Sequence, residues 1–245
     1  AVCFAVWVLL GPSTRLIAKE LAIDPATAAA VKAAPILVGS VMRIPVGMLT
    51  DRLGARLTFP LVQLVGLAGV LVLSFAHGLT LLVVGGLVLG MVGTTFVVGV
   101  QSVSSWVPAE RHGFALGIFG AGNVGAAVTK FAAPFVTVAL GWQAVAQIWA
   151  GALAAIAVVT FLVTRDDPVL LERRRTGAKP ETTATQFTAL MKLQIWRFSL
   201  YYFFVFGGFV ALALWLPHYL VGAYGFSIKT AGMLAAAYSI PGSVF

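Results

Sequence analysis

The chain has 245 residues, 60% of them hydrophobic and 10% charged, with a mean hydropathy of +0.99; an ordinary soluble domain is roughly a quarter charged. No water-soluble fold hides that much apolar surface, so length here counts membrane-spanning helices of about 20 apolar residues rather than globular domains. The net charge of +8 would suit nucleic acid, but seven of the sixteen basic residues crowd between Arg165 and Arg197, as in a cytoplasmic loop, and nucleic acid is set aside as a partner.

Taken in chain order, apolar runs predict eight helices, over residues 1–18, 28–50, 58–76, 79–103, 113–138, 143–163, 198–220 and 228–245. The first begins AVCFAVWVLL without an initiator Met or basic leader, and the last stops at SIPGSVF inside an apolar run. Both ends therefore read as cut, and the first and last helices as incomplete. The loops after the second, fourth and sixth spans hold Arg52, Arg56, Arg111 and the seven basic residues from Arg165 to Arg197, whereas the opposite loops hold little more than Arg15, Lys19 and Lys229. Cytoplasmic loops retain Lys and Arg, which places the first set and the N-terminus in the cytoplasm of a multi-pass protein of the inner membrane. Trp106 and Trp196 near one face, and Trp142 and Trp215 near the other, match the aromatic belts of a bilayer. The long polar stretch divides the chain into a six-helix bundle (1–164), a cytoplasmic linker (165–196) and the start of a second bundle (197–245).

Cys3 is the sole cysteine, and His77, His112 and His218 are far apart. An internal disulfide is excluded, a zinc site has little support, and no metal or cofactor is expected. No paired acid, nucleophile triad or metal cluster falls in the spans, so an intramembrane enzyme is the weakest of the readings considered.

At the exit of the second span the chain reads GMLTDRLGAR, Gly47 to Arg56. Gly47 and Gly54 permit close packing and a tight turn, Asp51 accepts hydrogen bonds at a helix end, and Arg52 and Arg56 hold the loop inside. The spacing resembles the signature between the second and third helices of the major facilitator superfamily. That implies an all-α fold of two six-helix bundles working by alternating access around a midplane site.

The fifth span, GFALGIFGAGNVGAAVTKFAAP, contains GAGNVG at Gly120 to Gly125. The match to a dinucleotide fingerprint is formal only, because it lies inside a membrane span and no acid occurs between Glu110 and Asp166. In lipid, Gly113, Gly117, Gly120, Gly122 and Gly125 let a neighbouring helix approach and leave Asn123 open to a shared cavity. The segment resembles the signature of the nitrate/nitrite porter family within the superfamily, and the resemblance extends over essentially the whole chain.

Ionisable residues inside spans are costly and point to a pathway or a site. Two stand out. Arg43, eight residues before Asp51, lies about 12 Å into the bilayer, too deep to snorkel fully. Its forked donors suit a small planar oxyanion. The alternative is a packing charge bonded to carbonyls. All eight acids fall in loops or at helix ends, so an uncompensated Arg43 favours an anionic partner. Lys130, seven residues after Asn123, shares its face of the fifth helix; it either snorkels to the outer interface or, buried, couples proton movement to the anion.

The porter resemblance adds that the arginine at this place in the second span binds the substrate. It also implies a planar anion sandwiched between phenylalanines, assigned to Phe96 and Phe206, with Tyr202 and Asn123 assisting. The family uses a second arginine on the eighth helix, and the sequence stops at Phe245 where that residue is expected. Pro35, Pro45, Pro134 and Pro241 interrupt helices that bend or line cavities. The expected function is secondary transport of nitrate or nitrite, in symport with protons or by exchange, by a monomer. Rivals are another small-anion or carboxylate carrier of the same fold, and a membrane nutrient sensor that binds without transport.

Overall fold

The computed structural model describes residues 1–177, 185 and 187–244, with the side chains of Arg15, Ala189, Ser243 and Val244 also left out. The loop charges Lys179 and Glu181 lie outside the described residues. The helices are α1 Val2–Trp7, α2 Leu10–Glu20, α3 Pro25–Val41, α4 Arg43–Leu53, α5 Ala55–Ser74, α6 Leu79–Leu89, α7 Thr95–Trp106, α8 His112–Gly120, α9 Gly125–Leu140, α10 Trp142–Val163, α11 Pro168–Thr176, α12 Leu193–Tyr224, α13 Ile228–Ser239 and α14 Pro241–Val244. Five helical stretches are each long and apolar enough to cross a membrane, and α3 with α4, bent by 42°, makes a sixth. The first apolar stretch, Val2–Thr14, and α13 are shorter.

Several predicted spans are broken, and proline chemistry accounts for three of the breaks. A proline offers no N–H to the carbonyl four residues back, and its ring crowds that carbonyl. Pro12 acts on Val8, where α1 ends; Pro45 acts on Val41, where α3 ends; Pro241 follows Ile240, where α13 ends. Pro35 and Pro134, by contrast, are carried inside α3 and α9. The fourth and fifth spans break without proline. A 3₁₀ stretch at Gly90–Thr94 joins α6 to α7, and another at Ala121–Val124 joins α8 to α9, so the GAGNVG segment is a tightened turn within its span.

The residues read as a plain linker contain α11. Asp167 caps it by accepting the Leu170 N–H at 2.7 Å, Pro168 occupies its first turn, and Gly177 ends it in the left-handed region. This helix docks on the GMLTDRLGAR turn. Arg173 and Arg174 donate to the Asp51 and Leu53 carbonyls at 3.2 and 3.0 Å, and Arg174 pairs with Asp166 at 3.0 Å. Gly54 has φ +86°, and a Cβ there would stand 2.6 Å from Leu170 and collide with Asp166.

The main apolar core joins the first, third, fourth and sixth spans through Val6, Leu10, Val70, Leu73, Leu89 and Leu153. A second cluster, with Phe4, Trp7, Val8, Ala126, Phe209 and Leu214, fixes α12 against the first and fifth spans. Lipid tails are as apolar as leucine, so this packing is held by close van der Waals fit and internal hydrogen bonds rather than by escape from water. The fifth and eighth spans meet at a prolyl gap: Pro134 leaves the Lys130 carbonyl without its helical donor, and Gly232 of α13 packs there with room for no side chain, since a Cβ would lie 2.6 Å from that oxygen.

Candidate anion site

A cavity of about 910 Å³ lies between the second span and α12. Its walls are mainly apolar, with Ser40, Ser199, Tyr202 and Trp7 as polar points, and Arg43 is the one charged residue among its described lining. The break after Val41 puts Arg43 at the first turn of α4, so its side chain departs from the bend rather than from a straight helix. Trp7, arriving from the first span, is held by its indole N–H donating to the Pro35 carbonyl at 2.9 Å.

The guanidinium lies 5.7 Å from the Trp7 ring, 5.4 Å from Phe96 and 5.6 Å from Phe206. Such contacts are individually worth about 0.5–2 kcal/mol, less than the several kcal/mol that taking an ion out of water costs. The Tyr202 hydroxyl also interacts with it. Yet Nε and Nη2 are buried with no hydrogen-bond partner. The ion pairs among the described residues, Arg174–Asp166 and Arg175–Glu172, lie on α11 and its approach, so no acid there neutralises Arg43. The group faces the cavity, and two of its donors are unmet among the described residues.

Phe206 stacks on Tyr202, centroids 4.9 Å apart and 15° between planes, and on Phe96 at 5.8 Å and 30°. Three of the aromatics singled out from sequence thus form one column beside Arg43. A planar ion sandwiched between two rings needs about 7 Å between their planes, twice the roughly 3.5 Å contact distance. The Phe96–Phe206 spacing is shorter, so the slot between these rings is closed.

Asn123 is placed differently from the expectation. It lines a second cavity of about 290 Å³ with Gln63, Thr95, Phe119 and Thr160; Trp7 lines both cavities and Phe96 this one. The amide and Arg43 therefore line different cavities, with Trp7 in the wall of both. The glycines of the fifth span also divide. A Cβ at Gly113, Gly117 or Gly120 would meet nothing within 4 Å, whereas one at Gly122 would lie 3.2 Å from the Ala1 nitrogen and one at Gly125 would collide with the Ala1 carbonyl. The close approach is thus made by Gly122 and Gly125, to the first span, and not by the three glycines before them.

Lys130 does not snorkel. It is fully buried, and its ammonium donates to the Ser239 hydroxyl and, at 3.5 Å, to the Ala235 carbonyl, with the Tyr238 ring at 5.7 Å. Of the two placements open from sequence, interface or interior, the side chain takes the interior one, against the eighth span. In the signature turn, Asp51 accepts from Gln101 of α7, Gly47 makes only an ordinary contact with Val97, Arg52 is exposed, and Arg56 lies over Phe161 at 5.6 Å.

Sequence reasoning missed Trp7, which touches both cavities, and Lys32, which is 3% exposed with its ammonium 4.4 Å from the Trp215 ring. A signal existed for Lys32: it sits inside an apolar run eleven residues before Arg43.

The model of the Major Facilitator Superfamily matches residues 1–245. The "Nitrite extrusion protein" of Bacillus subtilis (strain 168) is 37% identical over 236 residues, covering 96% of this chain and 58% of that protein. The "Probable nitrate/nitrite transporter NarK2" of Mycobacterium tuberculosis (strain ATCC 25618 / H37Rv) is 38% identical over 240 residues, 97% and 60% respectively. The chain thus spans about three-fifths of the length of these curated relatives. Among solved structures, a bacterial homolog of the human lysosomal transporter Spinster, in an inward-facing and occupied conformation, superposes with a TM-score of 0.70 at 18% identity over 98% of this chain and 56% of its own, a likeness of fold alone. The six apolar stretches able to cross a membrane among the described residues, the GMLTDRLGAR turn and the family match over the whole length lead to one conclusion: this multi-pass membrane chain belongs to the Major Facilitator Superfamily.

Proposed function

We propose that the full-length protein moves nitrate or nitrite across the cytoplasmic membrane by alternating access, with Arg43 as the anion-binding residue. The observation that carries this reading is the pair of buried donors of Arg43 that, among the described residues, have no partner and face a cavity with no acid in its lining. A small anion supplies both the missing charge and the missing acceptors. The names of the relatives, a nitrite extrusion protein and a nitrate/nitrite transporter, support the choice of ion.

In this scheme residues 1–164 form the first bundle, 165–196 the linker and 197–245 the beginning of the second. The end bearing Arg52, Arg56 and Arg173 to Arg175 faces the cytoplasm, as does the N-terminus. Tyr202 donates to the bound ion, and Phe96 and Phe206 part to wall it. Asn123 lines the neighbouring cavity and joins the site when Trp7, common to both walls, moves aside, so its role belongs to another stage of the cycle. Lys130, held between the fifth and eighth spans, is the group proposed to couple proton movement to the motion of those spans.

The test is counterflow of labelled nitrate in proteoliposomes of the full-length protein, beside Arg43→Lys. Uptake that collapses in the variant supports the site. Binding without flux in the native protein would make it a receptor, and flux of carboxylates in preference to nitrate would change the cargo.

A further inference from the structure

Lys32 precedes Arg43 by eleven residues of the second span, about 16 Å along it, on the other side of the bend after Val41. Trp215 and Ala33, the residue next to Lys32, line the large cavity toward the end remote from Ile195 and Phe198. The Lys32 ammonium rests on that same Trp215 ring at 4.4 Å. Among the described residues it has no hydrogen-bond acceptor and no carboxylate. Lys130, more deeply buried still, shows the contrast, since its ammonium reaches a hydroxyl and a carbonyl.

An ammonium carries three donors, and one ring face balances only part of the cost of taking it out of water. If the contact served only to clasp α3 to α12, a neutral side chain would do so without that cost. A cation left short of acceptors, beside a movable ring in a cavity wall, is instead matched by an anion.

We propose that Lys32 is a second anion station, for a small inorganic oxyanion, covered by Trp215 when empty. The ring holds the place of the ion, which takes over the ammonium when Trp215 turns aside. The separation from Arg43 is too large for both cations to grip one ion, so they hold successive ions. This rests on the reading that the cavity takes a small anion at Arg43, and the two stand or fall separately in the experiment.

The experiment is calorimetric titration of purified full-length protein with sodium nitrate in chloride-free buffer. The native protein is expected to show two sites. Lys32→Met is expected to lose one and keep the other; Arg43→Lys weakens the one that Lys32→Met keeps. Trp215→Ala, which uncovers Lys32 without touching its charge, tightens the Lys32 site about threefold to thirtyfold, the span of a single ring–ammonium contact. A single site in the native protein, with Lys32→Met titrating identically, overturns the station. So does a Trp215→Ala variant with unaltered binding, and this variant carries the test if Lys32→Met fails to fold. Loss of both sites in Arg43→Lys likewise overturns an independent station. Two sites unaffected by Arg43→Lys would instead sink the Arg43 reading and leave Lys32 standing.

Discussion

Replacing Arg43 by lysine keeps a positive charge in the cavity and removes the fork. Nε and Nη2, the two nitrogens without partners, lie along one edge of the guanidinium, so a planar oxyanion accepts from both at once. A lysine retains one such contact. The one lost, a hydrogen bond between charged groups, is worth about 1.5–3 kcal/mol. At about 1.4 kcal/mol per tenfold, the anion Kd should rise roughly 10- to 150-fold. The ring contacts should persist, because any cation meets the faces of Trp7, Phe96 and Phe206. The assay is nitrate binding to the purified full-length protein, with counterflow as the functional reading. Arg43→Met separates binding from folding: with no ion pair to lose and a buried charge removed, it should melt no lower than the native protein while losing the anion. A Kd for Arg43→Lys within twofold of native, or a Tm for Arg43→Met several degrees lower, would show that the guanidinium serves packing and not cargo.

Gly54→Ala should destabilise the protein by at least about 1 kcal/mol, since φ +86° is strained for alanine and its methyl would run into Asp166 and Leu170; thermal melting checks this, and hydrogen exchange should show α11 loosened first. Lys130→Met should abolish the pH dependence of uptake if that lysine couples protons, and an unchanged pH profile in proteoliposomes would remove it from that role. Asp24, the cap of α3, accepts from the Thr27 side chain and from the Thr27 and Ala26 N–H groups, which hold its carboxyl below the usual range. A depressed carboxyl stabilises the fold above its unfolded pKa and loses that contribution as pH falls through the lower, folded value. The melting temperatures of native protein and Asp24→Ala should therefore converge in acid and separate toward neutral pH.

Hydropathy located the spans because the bilayer imposes their length on any sequence that crosses it. The breaks were partly legible: Pro45 and Pro241 were named in advance, and the same rule applied to Pro12 would have split the first span. The 3₁₀ stretches at Gly90–Thr94 and Ala121–Val124 were not, because glycine permits the tighter winding without requiring it. Within the site, sequence position gives depth along a helix but not which neighbour it faces. That is why the burial of the Arg43 guanidinium, too deep to reach an interface, was readable. Lys130 stood at a depth from which it can reach outward or turn inward, and only the presence of Ser239 across the gap decides between them. Nothing in the span of Asn123 announces that it lines a cavity shared with Trp7 of the first span.

The two overwound stretches lie immediately before Phe96 and around Asn123. Three residues per turn with a rise of about 2.0 Å, against 3.6 and about 1.5 Å, means that each residue slackening into α geometry shortens the span by about 0.5 Å and untwists it by about 20°. A handful of residues acting as a screw thread would thus swing the ring and the amide through a large arc while the far ends of their helices slide by only about 2 Å. Spin-label distances taken across either stretch, with and without nitrate, would register that travel; a fixed distance would mean the thread is locked.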